Sequence, residues 1–191
     1  MRCKPITQNE NIQEHQTPAP IISKAYLLGF LHDSTERKYT YRICQKSFEF
    51  IQQLNQSIQM LGFNSWINKE GKNRNLYIVE FSKKLLSNTT LTAMEDKIDY
   101  IRGYFDSEGS VPKSLSARYY IYFCQKDFQD LAYVRALLEE FGIECGKIHV
   151  PSKRIDPNYY RFYVLRNSWQ LFGQLIGSYH PEKIAYVRMK I

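Results

Sequence analysis

Arg42, Lys69, Lys72, Arg74, Arg118, Lys147, Lys153, Arg154 and Arg161 fall on segments that read as strands and hairpin turns. Guanidinium and ammonium groups spread along β-faces can track a phosphate backbone. Tyr120 and Tyr122, set among them, add rings able to stack on bases or sugars. The chemistry this suggests is nucleic-acid binding. The overall charge agrees in sign, with 26 Lys and Arg against 19 Asp and Glu giving a formal +7, although many solvated surfaces carry as much. The cysteines argue against two other chemistries. Cys3, Cys44, Cys124 and Cys145 form no C-x-x-C pair and have no paired histidines nearby, so neither a structural zinc nor a disulfide framework is indicated, and a reducing compartment fits.

These side chains must be held by a globular scaffold. Of 191 residues, 43% are hydrophobic and 24% charged, and no apolar run nears the roughly 20 residues of a spanning helix. A membrane protein is excluded, and one domain or two small halves is expected. Residues 1–20 are polar, contain Pro5, Pro18 and Pro20, and lack an apolar h-region. They read as a flexible tail, neither a signal nor a transit peptide. An intracellular location follows, in a bacterial or archaeal cytoplasm or an organelle matrix.

The remainder is an internal repeat. Tyr41-Arg42-Ile43-Cys44-Gln45-Lys46 returns as Ile121-Tyr122-Phe123-Cys124-Gln125-Lys126, an offset of 80. Leu28-Gly29-Phe30 matches Arg102-Gly103-Tyr104 at 74, and Lys97-Ile98-Asp99-Tyr100 matches Lys183-Ile184-Ala185-Tyr186 at 86. Each step in offset is an insertion in the second copy, where a hairpin loop belongs. Two copies are too few for a solenoid and predict a pseudo-two-fold monomer, with repeats over residues 21–95 and 96–191. Helical spacing covers 21–33 and 98–106, and β-rich segments cover 39–45 and 118–125. Helices over 47–61 and 127–141 open on N-capping Ser47 and Asp127 and close on Gly62 and Gly142. A hairpin follows each, 64–68 with 75–81 and 147–150 with 159–165. The predicted fold is α+β: two αββαββα units, each with an antiparallel sheet.

Tyr100-Ile101-Arg102-Gly103-Tyr104-Phe105-Asp106-Ser107-Glu108-Gly109-Ser110 resembles the signature of the LAGLIDADG homing endonucleases, and residues 25–35 resemble a degenerate first copy. The likeness covers residues 21–191. It implies that Gly29 and Gly103 let the two motif helices pack backbone to backbone at the centre of a nucleic-acid-binding saddle of two β-sheets. It implies that an acid at each helix end holds Mg²⁺ between the scissile phosphates, that Gln45 and Gln125 order water there, and that a lysine completes the pocket, with Lys97 and Lys183 as candidates. Glu108 stands five residues after Gly103, where the family has its acid; five after Gly29 stands Ser34. Asp33 or Glu36 replaces the missing carboxylate only if the first helix ends differently, because about 100° per residue points Asp33 away from the centre. His32, Cys44 and Cys124 read as structural.

Two functions fit. One is an endonuclease that reads double-stranded DNA with its sheets and cleaves the backbone with Mg²⁺. The other is a non-catalytic member that binds structured RNA, as a maturase or a ribonucleoprotein or ribosomal component, or that regulates DNA. Ser34 separates them, since a neutral hydroxyl cannot gather a hard cation.

Overall fold

The structure, a computed structural model, describes residues 20–71, 74–114 and 116–188, so Lys72 and residues 1–19 of the tail lie outside it. The first half runs α1 (Lys24–Phe30), β1 (Ser34–Glu36), β2 (Thr40–Gln45), α2 (Phe48–Met60), β3 (Ser65–Lys69) and β4 (Tyr77–Ser82). The second runs α3 (Met94–Glu108), β5 (Gly109–Ser110), β6 (Tyr122–Gln125), α4 (Phe128–Glu140), β7 (Tyr160–Tyr163), α5 (Trp169–Leu175) and α6 (Pro181–Arg188). Among the described residues no helix is long and apolar enough to cross a membrane.

Local chemistry explains the boundaries. Ser47 Oγ accepts the Phe50 N–H, and Asp127 accepts from Gln129 and Asp130, so α2 and α4 begin where orphan N–H groups find side-chain acceptors. Both end on a glycine at positive φ, +84° at Gly62 and +73° at Gly142, a conformation that closes the last turn without a Cβ clash. The 3₁₀ turn Leu31–Asp33 finishes α1, whereas α3 stays α-helical through Glu108.

Both sheets are antiparallel, in the orders β1-β2-β4-β3 and β5-β6-β7. Thr40 pairs with Ser82 and Gln45 with Tyr77 in the first; Tyr122 pairs with Tyr163 and Gln125 with Tyr160 in the second. Each sheet covers its own core. Phe30, Ile43, Phe50, Val79 and Phe81 are buried in the first half, and Phe105, Phe123, Leu131, Phe162 and Phe172 in the second. Burying such side chains stabilises each half by about 2 kcal/mol per residue.

The α+β plan with one antiparallel sheet per half is as expected, with three corrections in the second half. The predicted strand 118–125 is regular only over Tyr122–Gln125, and the predicted strand 147–150 reduces to isolated bridges, Cys145 with Val164 and His149 with Arg161. Prolines at 151 and 157, which cannot donate to a ladder, interrupt the second hairpin. The closing element also differs, because α5 precedes α6 and buries Phe172.

The helices α1 and α3 lie along each other between the two cores. A Cβ built on Gly29 would stand 2.1 Å from the Tyr100 carbonyl oxygen, and one on Gly103 would stand 2.0 Å from that of Tyr26. Each glycine thus meets the carbonyl of the tyrosine three residues before the other, a local two-fold relation in backbone contact.

Candidate nucleic-acid cleavage site

The ends of α1 and α3 open into one cleft of about 350 Å³ lined by Asp33, Gln45, Asp106, His180 and Lys183. Tightening of α1 into a 3₁₀ turn changes the direction of successive side chains from about 100° to about 120° per residue. The first motif helix therefore ends differently from a continuous α-helix, the condition under which Asp33 could replace the missing acid. Ser34 leaves the helix, enters β1 opposite Ile43, and donates its hydroxyl to the Leu31 carbonyl at 2.6 Å. Asp33 is the residue that faces the centre. Glu36 does not reach it, being ion-paired to Lys83.

Glu108 lies close enough to Asp33 to feel its charge, and each has a glutamine partner. Gln45 Nε2 donates to Asp33 Oδ2 at 2.9 Å, and Gln125 hydrogen-bonds Glu108. Partial burial, followed by the nearby negative charge of Asp33, raises the Glu108 carboxyl to about 7; burial also raises Asp33. Burial and a neighbouring like charge both favour the protonated form of a carboxyl.

Lys183 lies beneath them. Its Nζ donates to the carbonyls of Phe105 and Asp106 at 2.7 Å and of Gly109 at 2.8 Å, so it caps the C-terminus of α3. Burial lowers the ammonium to about 8, against the pull of Asp106, Cys124, Glu108 and Asp33. Lys97, its sequence equivalent, is a correction: it pairs with Glu140 at 2.6 Å near the start of α3. Eleven residues separate it from Glu108, about 16 Å of helix. The equivalence fails because α6 starts at the cleft, whereas α3 ends there.

Asp106 and His180 complete the floor and escaped the sequence reading. Buried Asp106 accepts from Tyr26 Oη at 2.7 Å, from the backbone N–H groups of Tyr179 and His180 at 2.9 and 3.1 Å, and from Ser178 Oγ. That ties α1, α3 and the chain before α6 together. His180 Nδ1 accepts the Glu182 N–H at 3.2 Å, which leaves the proton on Nε2, facing Gln45 Oε1 at 3.3 Å. The Gln45 amide is thereby turned with its N–H toward Asp33. Burial, and next Lys183, keep the imidazole neutral by lowering it to about 4. His180→Gln, which keeps a donor on Gln45, should hold divalent-cation affinity within about threefold, and His180→Leu should lower it about tenfold. Isothermal titration with Mn²⁺ measures this, and equal affinities would remove the orienting role.

The other singled-out residues are spread more widely. Arg42 is turned to Glu80 at 3.5 Å, so much of its charge is spent within the sheet. Lys69 lies over the Tyr77 ring, Arg161 over Tyr122 at 4.2 Å, and Tyr120 stacks on Tyr122. Arg74, Arg118, Lys147, Lys153 and Arg154 are exposed. His32 packs on Tyr104 at 4.3 Å and reaches Asp130, away from the cleft. Cys124 Sγ donates to the Glu108 carbonyl, Cys44 approaches Glu70, and the cysteines among the described residues are free.

The raised Glu108 carboxyl has a consequence for stability. Its ordinary value is 4.5, so between about pH 4.5 and 7 the folded chain binds more protons than the unfolded one, and stability falls as pH rises across that window. Without cation, Glu108→Gln should therefore match the parent Tm below pH 5 and exceed it above pH 7. Solvent at the cleft mouth limits the gain to about 1–2 kcal/mol, or roughly 3–6 °C. Thermal melts in EDTA at both pH values check it; a pH-independent difference would count against burial of the charge.

Residues 95–177 match the family described as the LAGLIDADG-like domain. Mesophilic variants of the homing endonuclease I-DmoI are similar in structure, with 25% identity, TM-score 0.62, and coverage of 80% of this chain and 93% of theirs. I-DmoI in complex with DNA and Mn gives 24% identity, TM-score 0.61, and coverage of 80% and 94%. Full-length DUF199/WhiA from Thermatoga maritima shares the fold at 20% identity and TM-score 0.62, with 84% of this chain covering 58% of that one. No curated protein matches the chain in sequence.

Proposed function

For a chain that belongs to the LAGLIDADG family, we propose the function of a double-stranded DNA endonuclease working with a divalent cation. What supports this reading is the electrostatic proximity of Asp33 and Glu108, one from each half, each hydrogen-bonded to its own glutamine and both drawn on by Lys183. I-DmoI has been solved with DNA and Mn and with DNA and Ca, which supports the same ligand class here.

The donor set suits such a cation. Carboxylate and amide oxygens are hard ligands, and small divalent cations keep much of their coordination for water and substrate phosphates. A cation held by Asp33 and Glu108 would polarise a phosphoryl oxygen and lower the pKa of water.

The chain's own groups do the positioning. Gln45 and Gln125 fix the two carboxylates. Lys183 locks the end of α3, so that Glu108 keeps its place, and supplies a buried positive charge near incoming phosphate. The halves 21–95 and 96–191 each offer one sheet to the duplex, so one chain serves where a two-fold dimer otherwise would. Arg74, Arg118, Lys147, Lys153, Arg154 and Arg161 supply sequence-independent phosphate contacts, which salt weakens.

Incubation with a randomised duplex library and Mg²⁺ or Mn²⁺, followed by sequencing of new ends, tests the reading. Ends at one recurring site, absent in EDTA, are expected. Duplex binding without ends in either cation, or preferential capture of structured RNA, would overturn it in favour of the non-catalytic alternative.

A further inference from the structure

Beyond the outer end of β6 lies a second cleft, about 720 Å³ in volume, that the proposed cleavage chemistry does not use. Tyr119 packs edge-on against Trp169 at its base, with ring centroids 4.8 Å apart, and Trp169 Nε1 donates to the Val164 carbonyl at 3.0 Å. Tyr120 and Tyr163 line it. Tyr120 is stacked on Tyr122 at 5.4 Å and 22°, Tyr163 is stacked on His149 at 5.9 Å and 13°, and Tyr122 meets Tyr163 edge-on at 5.7 Å, so the cleft is walled by a continuous cluster of rings. Arg118 and Arg166 complete the lining, both exposed and without an ion pair among the described residues.

Flat π-surfaces beside two uncompensated guanidiniums, with no carboxylate in the lining, are complementary to a planar ring carrying an anion. Tyr120 stands five residues before Gln125, two before β6 begins, about 16 Å of extended chain. That is about five steps of duplex from the carboxylate pair, at about 3.4 Å per step. We infer that this cleft holds one unpaired nucleotide of the bound nucleic acid, its base on the ring faces of Tyr120 and Tyr163 and its phosphate on Arg118 and Arg166. A base inside a duplex cannot enter without being unstacked, which is least costly where it is mismatched, bulged or single-stranded. The inference rests on the nucleic-acid-binding reading above.

The test uses the full chain carrying Trp66→Phe, which leaves Trp169 as the sole tryptophan, titrated with short oligo-dA, oligo-rA and a blunt duplex. Base stacking should quench Trp169 emission with the single strands and not with the duplex. Tyr163→Ala with Arg166→Ala should weaken single-strand affinity at least about tenfold, while Tyr163→Phe, which keeps the ring, retains it. The ratio of oligo-dA to oligo-rA affinity identifies which nucleic acid supplies the nucleotide. Duplex binding with no quenching by either single strand would overturn this inference and leave the endonuclease reading standing. Failure to bind any of the three would overturn both.

Discussion

Glu108→Gln and Asp33→Asn should each lower duplex cleavage by about 10³-fold, and Ser34→Ala should leave it unchanged. Each of the first two removes half of the negative charge available to a cation while keeping side-chain shape. The stabilisation lost, about 4 kcal/mol, is what a thousandfold represents. Binding should hold within a few fold when measured in Ca²⁺ or EDTA, because the sheets, and not the cleft, carry most phosphate contacts. Ser34 is the discriminating control. Its hydroxyl is committed to the Leu31 carbonyl and its backbone to Ile43, so its loss costs about 1 kcal/mol of local stability and no chemistry. Single-turnover cleavage of the selected site by the three variants is the measurement. If Asp33→Asn cleaves like the parent, the acid of the first half has been misplaced.

Much of this arrangement was legible in the sequence because it is written in local or periodic signals. The Gln-Lys pair recurs at one offset, the caps Ser47 and Asp127 open matching helices, and the two glycines mark the close approach of α1 and α3. The register of the first acid was not legible. Counting five residues from Gly29 assumes α-geometry, whereas α1 tightens after Phe30, and one residue of register exchanges Ser34 for Asp33. Lys97 and Lys183 share a sequence context and not a place, since one begins the long helix whose far end is the site. His180 carried no local signal at all: its partner Gln45 lies 135 residues away, and only tertiary docking through Asp106 unites them. In the second half, aromatic β-propensity over residues 118–121 lost to a long, six-residue-expanded connection that leaves those rings lining a cleft.

The two glycines support the largest structural prediction. Gly103→Ala should destabilise the chain by about 3 kcal/mol or more, lowering Tm by roughly 6–12 °C. The added Cβ would meet the Tyr26 carbonyl oxygen at 2.0 Å, its carbon at 2.9 Å and the Phe30 nitrogen at 3.1 Å, all backbone atoms that no rotamer change can move aside. Relief requires α1 and α3 to part. Parting them stretches the Tyr26 to Asp106 hydrogen bond, now 2.7 Å, and with it the network that holds the chain before α6. It also draws apart the helix ends that carry Asp33 and Glu108, so protein that remains folded at low temperature should still cleave poorly. Gly146→Ala is the matched control, since its nearest neighbour would lie at an ordinary 3.5 Å and its φ is not positive. There the lost chain entropy of the unfolded state makes the change neutral or slightly stabilising. Paired thermal melts of the two variants decide the matter: similar Tm values would mean that the motif helices do not touch through their glycines, and that the convergence of the two acids has some other cause.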